Sequence, residues 1–234
     1  MAVTYGSVVQ LENQQTKEKL HSSPINYASG SKRQVVTTFN LEDDSNNSWL
    51  ILPSESSFGY GRPVACGDTI FMKHTGTDTY LTAESFYLSP LSQQTEVSAS
   101  NEFIPTGSVW RVICGKEDVK RKENVWHSER FIKFQNISTL TFLTSSEGKY
   151  NRPIAGHREV VVALGGRRGK ELVSVWKTKE GKYNRPIAGH REVVVALGGR
   201  RGKELVSVWK TKEGMFYSPA TRLSTGREGE KMDL

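Results

Sequence analysis

The sequence predicts an all-β fold, and three observations carry that expectation. Apolar and polar residues alternate over short stretches, as a strand with one buried face requires: Lys19-Leu20-His21-Ser22, Tyr80-Leu81-Thr82-Ala83 and Phe142-Leu143-Thr144-Ser145. Turn-forming clusters punctuate them (Ser29-Gly30-Ser31, Asp43-Asp44-Ser45-Asn46-Asn47, Ser145-Ser146-Glu147-Gly148), and no 12-residue window holds a helical apolar stripe. The strands also fall into three divergent units that cannot each enclose a core, so together they are expected to close into a threefold barrel without exposed sheet edges.

The units are built in the same order. Each opens on a short apolar strand: Gly6-Ser7-Val8-Val9-Gln10-Leu11, then Gly67-Asp68-Thr69-Ile70-Phe71-Met72, then more loosely Glu129-Arg130-Phe131-Ile132-Lys133-Phe134. The alternating stretches above supply a second strand. Arg33-Gln34-Val35, Thr95-Glu96-Val97 and Arg158-Glu159-Val160 mark a third, and a tryptophan opens the fourth: Trp49, Trp110 and Trp176. Gly6 to Gly67 and Trp49 to Trp110 are equal intervals of about 60 residues, and Trp110 to Trp176 is slightly longer. Large residues at equivalent places are expected to pack a pseudo-threefold core rather than to stack on a ligand.

A second repeat is of another kind. Residues 148–180 recur without a change at 181–213, so Trp209 duplicates Trp176 and only one of the two can close the third unit. The 33-residue period does not make an ankyrin array, because the Thr-Pro-Leu-His signature is missing and two copies are too few for a solenoid. A closed barrel has no vacancy for the surplus copy, which is expected to protrude or to be poorly ordered.

Length and composition narrow the function. A chain of 234 residues, 36% hydrophobic, can bury the core of one compact domain. The net charge of +7 falls to +2 without the second copy of the duplicated segment, and no aromatic-interleaved basic stretch points to nucleic acid. No apolar run is long enough to span a bilayer, and the opening Met-Ala-Val-Thr-Tyr-Gly has neither the basic nor the apolar region of an export signal. The histidines His21, His74, His127, His157 and His190 form no His-Glu-x-x-His pair, and two cysteines are too few for a Cys-based zinc site, so no metal or cofactor is expected. Ala163-Leu164-Gly165-Gly166-Arg167-Arg168-Gly169-Lys170-Glu171 looks like a phosphate loop but has Leu164 where the motif needs glycine and no Ser/Thr after Lys170. No Gly-x-Ser-x-Gly elbow occurs and no carboxylate pair stands out, so the chain reads as non-catalytic.

Val3-Thr4-Tyr5-Gly6-Ser7-Val8-Val9, Leu20-His21-Ser22, Asn26-Tyr27-Ala28-Ser29-Gly30-Ser31 and Asp43-Asp44-Ser45-Asn46-Asn47-Ser48-Trp49 resemble the first MIR repeat of the stromal-cell-derived-factor-two family. Leu88-Ser89-Pro90-Leu91-Ser92, Glu96-Val97-Ser98-Ala99, Tyr150-Asn151-Arg152-Pro153-Ile154-Ala155-Gly156-His157-Arg158-Glu159-Val160 and Trp209-Lys210-Thr211-Lys212-Glu213-Gly214-Met215-Phe216 match its later repeats in order. The resemblance implies a single MIR β-trefoil over residues 1–217, with repeats at about 3–60, 61–120 and 124–217, and a flexible tail at 218–234. It implies an accessory of the lumenal Hsp70 and its J-domain co-chaperone in the endoplasmic reticulum, meeting unfolded clients in protein quality control. A lectin-like reader of mannosylated glycoproteins, or a helper of O-mannosylation, is the alternative. The family's signal peptide is absent from this chain, and its retrieval tetrapeptide stands here as Lys231-Met232-Asp233-Leu234.

Loops on a rigid barrel are where binding usually resides. Tyr27 and Ser29, then Ser89, Pro90 and Leu91, then Tyr150, Arg152 and Pro153 occupy corresponding loops and are the candidate binding residues. Asp43, Asp44 and Asn47 form an acidic rim or, read more plainly, a turn whose side chains satisfy their own backbone. Cys66 and Cys114 bound the second unit and, with the family sharing both, are read as a disulfide in preference to two buried thiols. Asn46 and Asn136 satisfy the glycosylation sequon, although Asn136 lies beside a strand.

Overall fold

The computed structural model describes residues 1–41, 44–54, 59–115, 124–164, 175–180, 208–211 and 214–217. Twelve strands run in three groups of four. The first group is β1 (Val8–Asn13), β2 (Lys19–Asn26), β3 (Gln34–Phe39) and β4 (Trp49–Pro53). The second is β5 (Thr69–His74), β6 (Thr79–Leu88), β7 (Thr95–Ser100) and β8 (Trp110–Cys114). The third is β9 (Phe131–Asn136), β10 (Phe142–Lys149), β11 (Arg158–Ala163) and β12 (Trp176–Glu180). A separate two-stranded hairpin joins β13 (Val208–Thr211) to β14 (Gly214–Tyr217). The one helical element among the described residues is a 3-10 turn at Ser45–Asn47.

The outer strands of the three groups close on themselves. β1 pairs with β4, β4 with β5, β5 with β8, β8 with β9, β9 with β12 and β12 with β1, all antiparallel. This ring of six strands leaves no open edge. The hairpins β2–β3, β6–β7 and β10–β11 lie across one end, where their inner strands pair in rotation: Gln34 with Ala99, Thr95 with Val162, and Arg158 with Thr38. At the other end the chain makes a closed cycle of backbone bonds. The Val3 N–H donates to the Trp126 carbonyl (2.8 Å), Trp126 to Val64 (2.8 Å) and Val64 to Val3 (2.9 Å).

The core repeats the same way. Trp49, Trp110 and Trp176 are fully buried, and each indole Nε1–H donates to the carbonyl of the leucine on its own hairpin: Leu20 (3.1 Å), Leu81 (3.0 Å) and Leu143 (3.0 Å). A buried indole N–H without a partner would cost about 1–3 kcal/mol, so the bond lets the largest side chain occupy an apolar interior. Trp176, from the first copy of the duplicated segment, holds the third place. Trp126 is buried beside them and passes its Nε1–H to Thr178 (2.9 Å).

Hydrogen-bond register corrects one sequence alignment. Val36, Val97 and Val160 are the equivalents, each facing Ser22, Ala83 or Ser145 across its hairpin. The match of Arg33-Gln34-Val35 to Thr95-Glu96-Val97 is therefore one residue out, and Val35 stands where Glu96 and Glu159 stand in the other units. One residue of slip exchanges the two faces of a strand, so the correction decides what lies beneath each loop.

Candidate functional site

The three candidate binding loops lie at the hairpin end, and each rests on an inner strand of another unit. The Ser31 hydroxyl donates to Glu96 Oε1 on β7, and a side chain at Gly30 (φ +66°) would collide with the same carboxylate. In the second loop the Ser89 hydroxyl and the Ser92 N–H (3.1 Å) both donate to Glu159 Oε1 on β11, while the Ser146 hydroxyl takes Oε2 at 2.7 Å. The third loop, with a cis bond between Arg152 and Pro153, packs Ile154 onto Val35 and Tyr27 instead. Tyr27 is buried, donating to the Val36 and Val97 carbonyls, with Tyr150 6.4 Å away ring to ring. Tyr27 and Ser89 thus hold the loops down, whereas Ser29, Pro90, Leu91, Arg152 and Pro153 face solvent. Burial pushes the Glu96 carboxyl up in pKa against the opposing pull of Ser31, and its Oε2 has no hydrogen-bond partner.

The Asp44–Asn47 turn is a built object. Asp44 caps it by accepting from the Asn46 N–H (2.9 Å), and Asn47 donates Nδ2 to the Leu41 carbonyl (2.9 Å). That bond orients the amide so that its oxygen meets His21 Nδ1 (3.2 Å), which therefore carries the proton; Asp44 Oδ2 lies 3.4 Å from the same nitrogen. The His74 Nε2–H donates to the Asn46 carbonyl (3.0 Å), and His74 Nδ1 accepts from Thr77 (2.8 Å). His157 stacks on Phe39 at 3.9 Å and lies 4.9 Å from His21. Burial drives His74 and His157 each down to about 4 and lowers His21, with Asp44 pulling the other way. Three histidines scattered over the sequence thus meet as neutral rings, a gathering no spacing revealed. Among the described residues no three His, Cys, Asp or Glu side chains are placed so that they could hold a metal ion.

Between the first two hairpins the inner strands diverge past the Gln34–Ala99 pair and open a cleft of about 500 Å³. Asn26, Lys32 and Arg33 line one wall and Asn101 and Glu102 the other. Arg33 ties this cleft to the adjoining surface, because its guanidinium pairs with Glu84 at 2.5 Å and lies over the Tyr87 ring at 5.3 Å. There the end of β6 abandons alternation: Phe86 is 68% exposed, Leu88 47% and Leu91 43%. Three exposed apolar side chains within six residues of sequence mark an interaction surface more often than a lone surface leucine does. Sequence reasoning found Leu91 but missed Phe86, Tyr87 and the cleft. The available signal was the unbroken run Phe86-Tyr87-Leu88 where a half-buried strand should alternate.

The remaining sequence candidates divide. Cys66 and Cys114 are bonded in the structure, with Cα atoms 5.6 Å apart. Asn136 is fully buried and donates Nδ2 to the Gly107 carbonyl (2.8 Å) while its oxygen closes the following turn, so the fold has no room for a glycan there. Asn46 is half-buried. Asp43 and the tetrapeptide Lys231-Met232-Asp233-Leu234 lie outside the described residues, as does the 218–234 tail. Among the described residues no helix is long and apolar enough to cross a membrane.

No family model matches the chain. It is 37% identical over 161 residues to stromal cell-derived factor 2-like protein 1 of Mus musculus, covering 68% of this chain and 69% of that one. The crystal structure of the SDF2-like protein from Arabidopsis thaliana superposes with a TM-score of 0.69 at 31% identity, over 77% of this chain and 96% of that one. Part of the S. cerevisiae protein O-mannosyltransferase Pmt1-Pmt2 complex, solved bound to its sugar donor, aligns with a TM-score of 0.66 at 25% identity, over 76% of this chain and 25% of that one. Identity at this level over more than two thirds of both chains, with the same fold in a solved relative, shows that the protein belongs to the stromal cell-derived factor 2-like family.

Proposed function

We propose that the protein is a non-catalytic MIR-type β-trefoil that works as an adaptor in the lumen of the endoplasmic reticulum, helping an Hsp70 and its J-domain co-chaperone handle unfolded clients. A closed six-stranded barrel crossed at one end by three hairpins supports the trefoil reading, and membership of the family supports the rest. The observation that carries the reading is the exposure of Phe86, Leu88 and Leu91 on the second hairpin and its loop, a hairpin joined through Tyr87 and Arg33 to a cleft lined by amides and by charges of both signs. An apolar patch with a polar rim suits a protein surface or an extended polypeptide, which offers both side chains and backbone to bind. The variant tail Lys231-Met232-Asp233-Leu234 would serve retrieval.

A lectin-like role is the second reading, favoured by the likeness to part of a protein O-mannosyltransferase complex. Against it, none of the residues lining the cleft is aromatic, so the cleft has no ring face on which a sugar could stack. Crosslinking in cells that express a tagged, export-competent chain, followed by affinity purification and mass spectrometry, separates the two. Recovery of a lumenal Hsp70 and a J-domain protein, reduced in a Phe86→Ala, Leu91→Ala variant, supports the adaptor. Recovery of mannosylated glycoproteins without those chaperones overturns it.

A further inference from the structure

The place between β1 and β9 is taken by Trp176–Glu180, which pairs through Val9–Asn13 on one side and Phe131 and Ile132 on the other. The same five residues, Trp-Lys-Thr-Lys-Glu, occur again as Trp209–Glu213. Every side chain that selects the first copy is present in the second, because the sequence is the same. We infer that this place is a strand-binding slot with two competing occupants in one chain, and that Trp209–Glu213 exchanges into it in place of Trp176–Glu180.

Chain connectivity separates the two arrangements, and so does the hairpin pairing Val208–Thr211 with Gly214–Tyr217, which the second copy gives up on entering the slot; an isolated two-stranded hairpin is only marginally stable, so that loss is small. With the first copy seated, the segment 164–175 joins Ala163 to Trp176; with the second seated, the longer segment 164–208 joins Ala163 to Trp209. The probability of closing a loop falls only as the three-halves power of its length, so the longer connection disfavours the second arrangement by about sevenfold. Connectivity alone therefore leaves the second arrangement populated. Downstream sequence acts the other way: Gly214-Met215-Phe216-Tyr217 follows the second copy and is more apolar than Gly181-Lys182-Tyr183-Asn184 after the first. Trp49 and Trp110, which occupy the equivalent places in the other units, have no such understudy.

The test is a cycle of variants in the full chain, read by equilibrium denaturation. Trp176→Ala is expected to lower the folded-to-unfolded ratio by no more than about tenfold, because Trp209 takes over. Trp209→Ala is expected to change nothing, and the double variant to fall by about a hundredfold or more, like Trp49→Ala. In a chain lacking residues 181–213, Trp176→Ala alone should be as damaging as the double variant. The inference is overturned if Trp176→Ala costs as much in the full chain as in the shortened one, or if it fails to fold while Trp209→Ala is silent. The non-additivity is the signature: two independent tryptophans give effects that sum, and two occupants of one slot do not.

Discussion

Trp49, Trp110 and Trp176 occupy one environment three times over, buried in the barrel and bonded to Leu20, Leu81 and Leu143. The position beneath the three loops at the hairpin end is filled by Val35, Glu96 and Glu159, and no two of these behave alike. The difference teaches which part of the molecule the threefold plan constrains. A barrel needs equal strands and equal volumes to close, and a large departure leaves a cavity or an overpacked wall. A loop needs only some seat, apolar or polar, provided its buried groups are satisfied. The hairpin end was therefore free to diverge, and the cleft and the apolar patch are found there.

The largest expected effect attacks the constrained region. Trp49→Ala removes a fully buried indole and its bond to Leu20, and should cost about 3–5 kcal/mol in equilibrium denaturation. A loss below about 2 kcal/mol would mean that the barrel relaxes around the cavity, and the contrast between its two ends would weaken.

The same contrast governs how much was legible in sequence. Repetition at a near-constant interval exposed the barrel strands and the tryptophans, because selection on equal volumes keeps the pattern visible. Trp126 escaped notice since its equivalents are Val3 and Val64, which share its place in the cycle of backbone bonds and nothing of its aromatic bulk. The loops were legible as loops, through Ser29-Gly30-Ser31 and Ser89-Pro90, but not their seats. Gly30 and Glu96 lie in different units, and the alignment that would have joined them was displaced by one at Val35. The cleft, with Lys32 and Arg33 on one wall and Asn101 and Glu102 on the other, is a product of hairpin packing that no local pattern encodes.

Next in size is a pH effect at the Asp44–Asn47 turn, where the fold buries neutral imidazoles. His74 has a folded value of about 4 against an ordinary 6.5, so the unfolded chain takes up its proton first. Its contribution is complete above pH 6.5, is lost as pH falls from 6.5 to 4 and is flat below. The loss is about 2 kcal/mol by pH 5 and about 3 kcal/mol in full. His157 falls in the same window but is less buried and contributes less. Denaturation midpoints at pH 7 and pH 5 should differ accordingly, and His74→Gln, which keeps a donor for Asn46, should flatten the slope. An unchanged slope would show that the ring is not held neutral by burial.

The two carboxylate seats give a smaller and sharper comparison. Glu159 accepts from Ser89, Ser92 and Ser146, using both oxygens, so Glu159→Gln turns an amide N–H₂ toward a donor and should cost about 2 kcal/mol. Glu96 has one oxygen without a partner and a carboxyl already pushed toward the neutral form, so Glu96→Gln should cost under about 1 kcal/mol. Equal losses would make the seats equivalent and remove the distinction drawn between them.

The smallest effect on stability is expected where binding is proposed. Phe86 is 68% exposed and packs against Tyr87 at 4.5 Å between ring centres, so Phe86→Ala should move the unfolding free energy by less than about 0.5 kcal/mol. A residue that the fold does not use but that keeps a large apolar ring in water is held there by something other than stability, since an alanine would be as well tolerated and less prone to aggregation. The prediction therefore pairs two measurements on one variant: unchanged denaturation, and reduced capture of an unfolded client protein in a pull-down. If Phe86→Ala instead destabilised the fold by about 2 kcal/mol or more, the ring would belong to the packing of the second hairpin, and the apolar patch would lose its claim to be a binding surface.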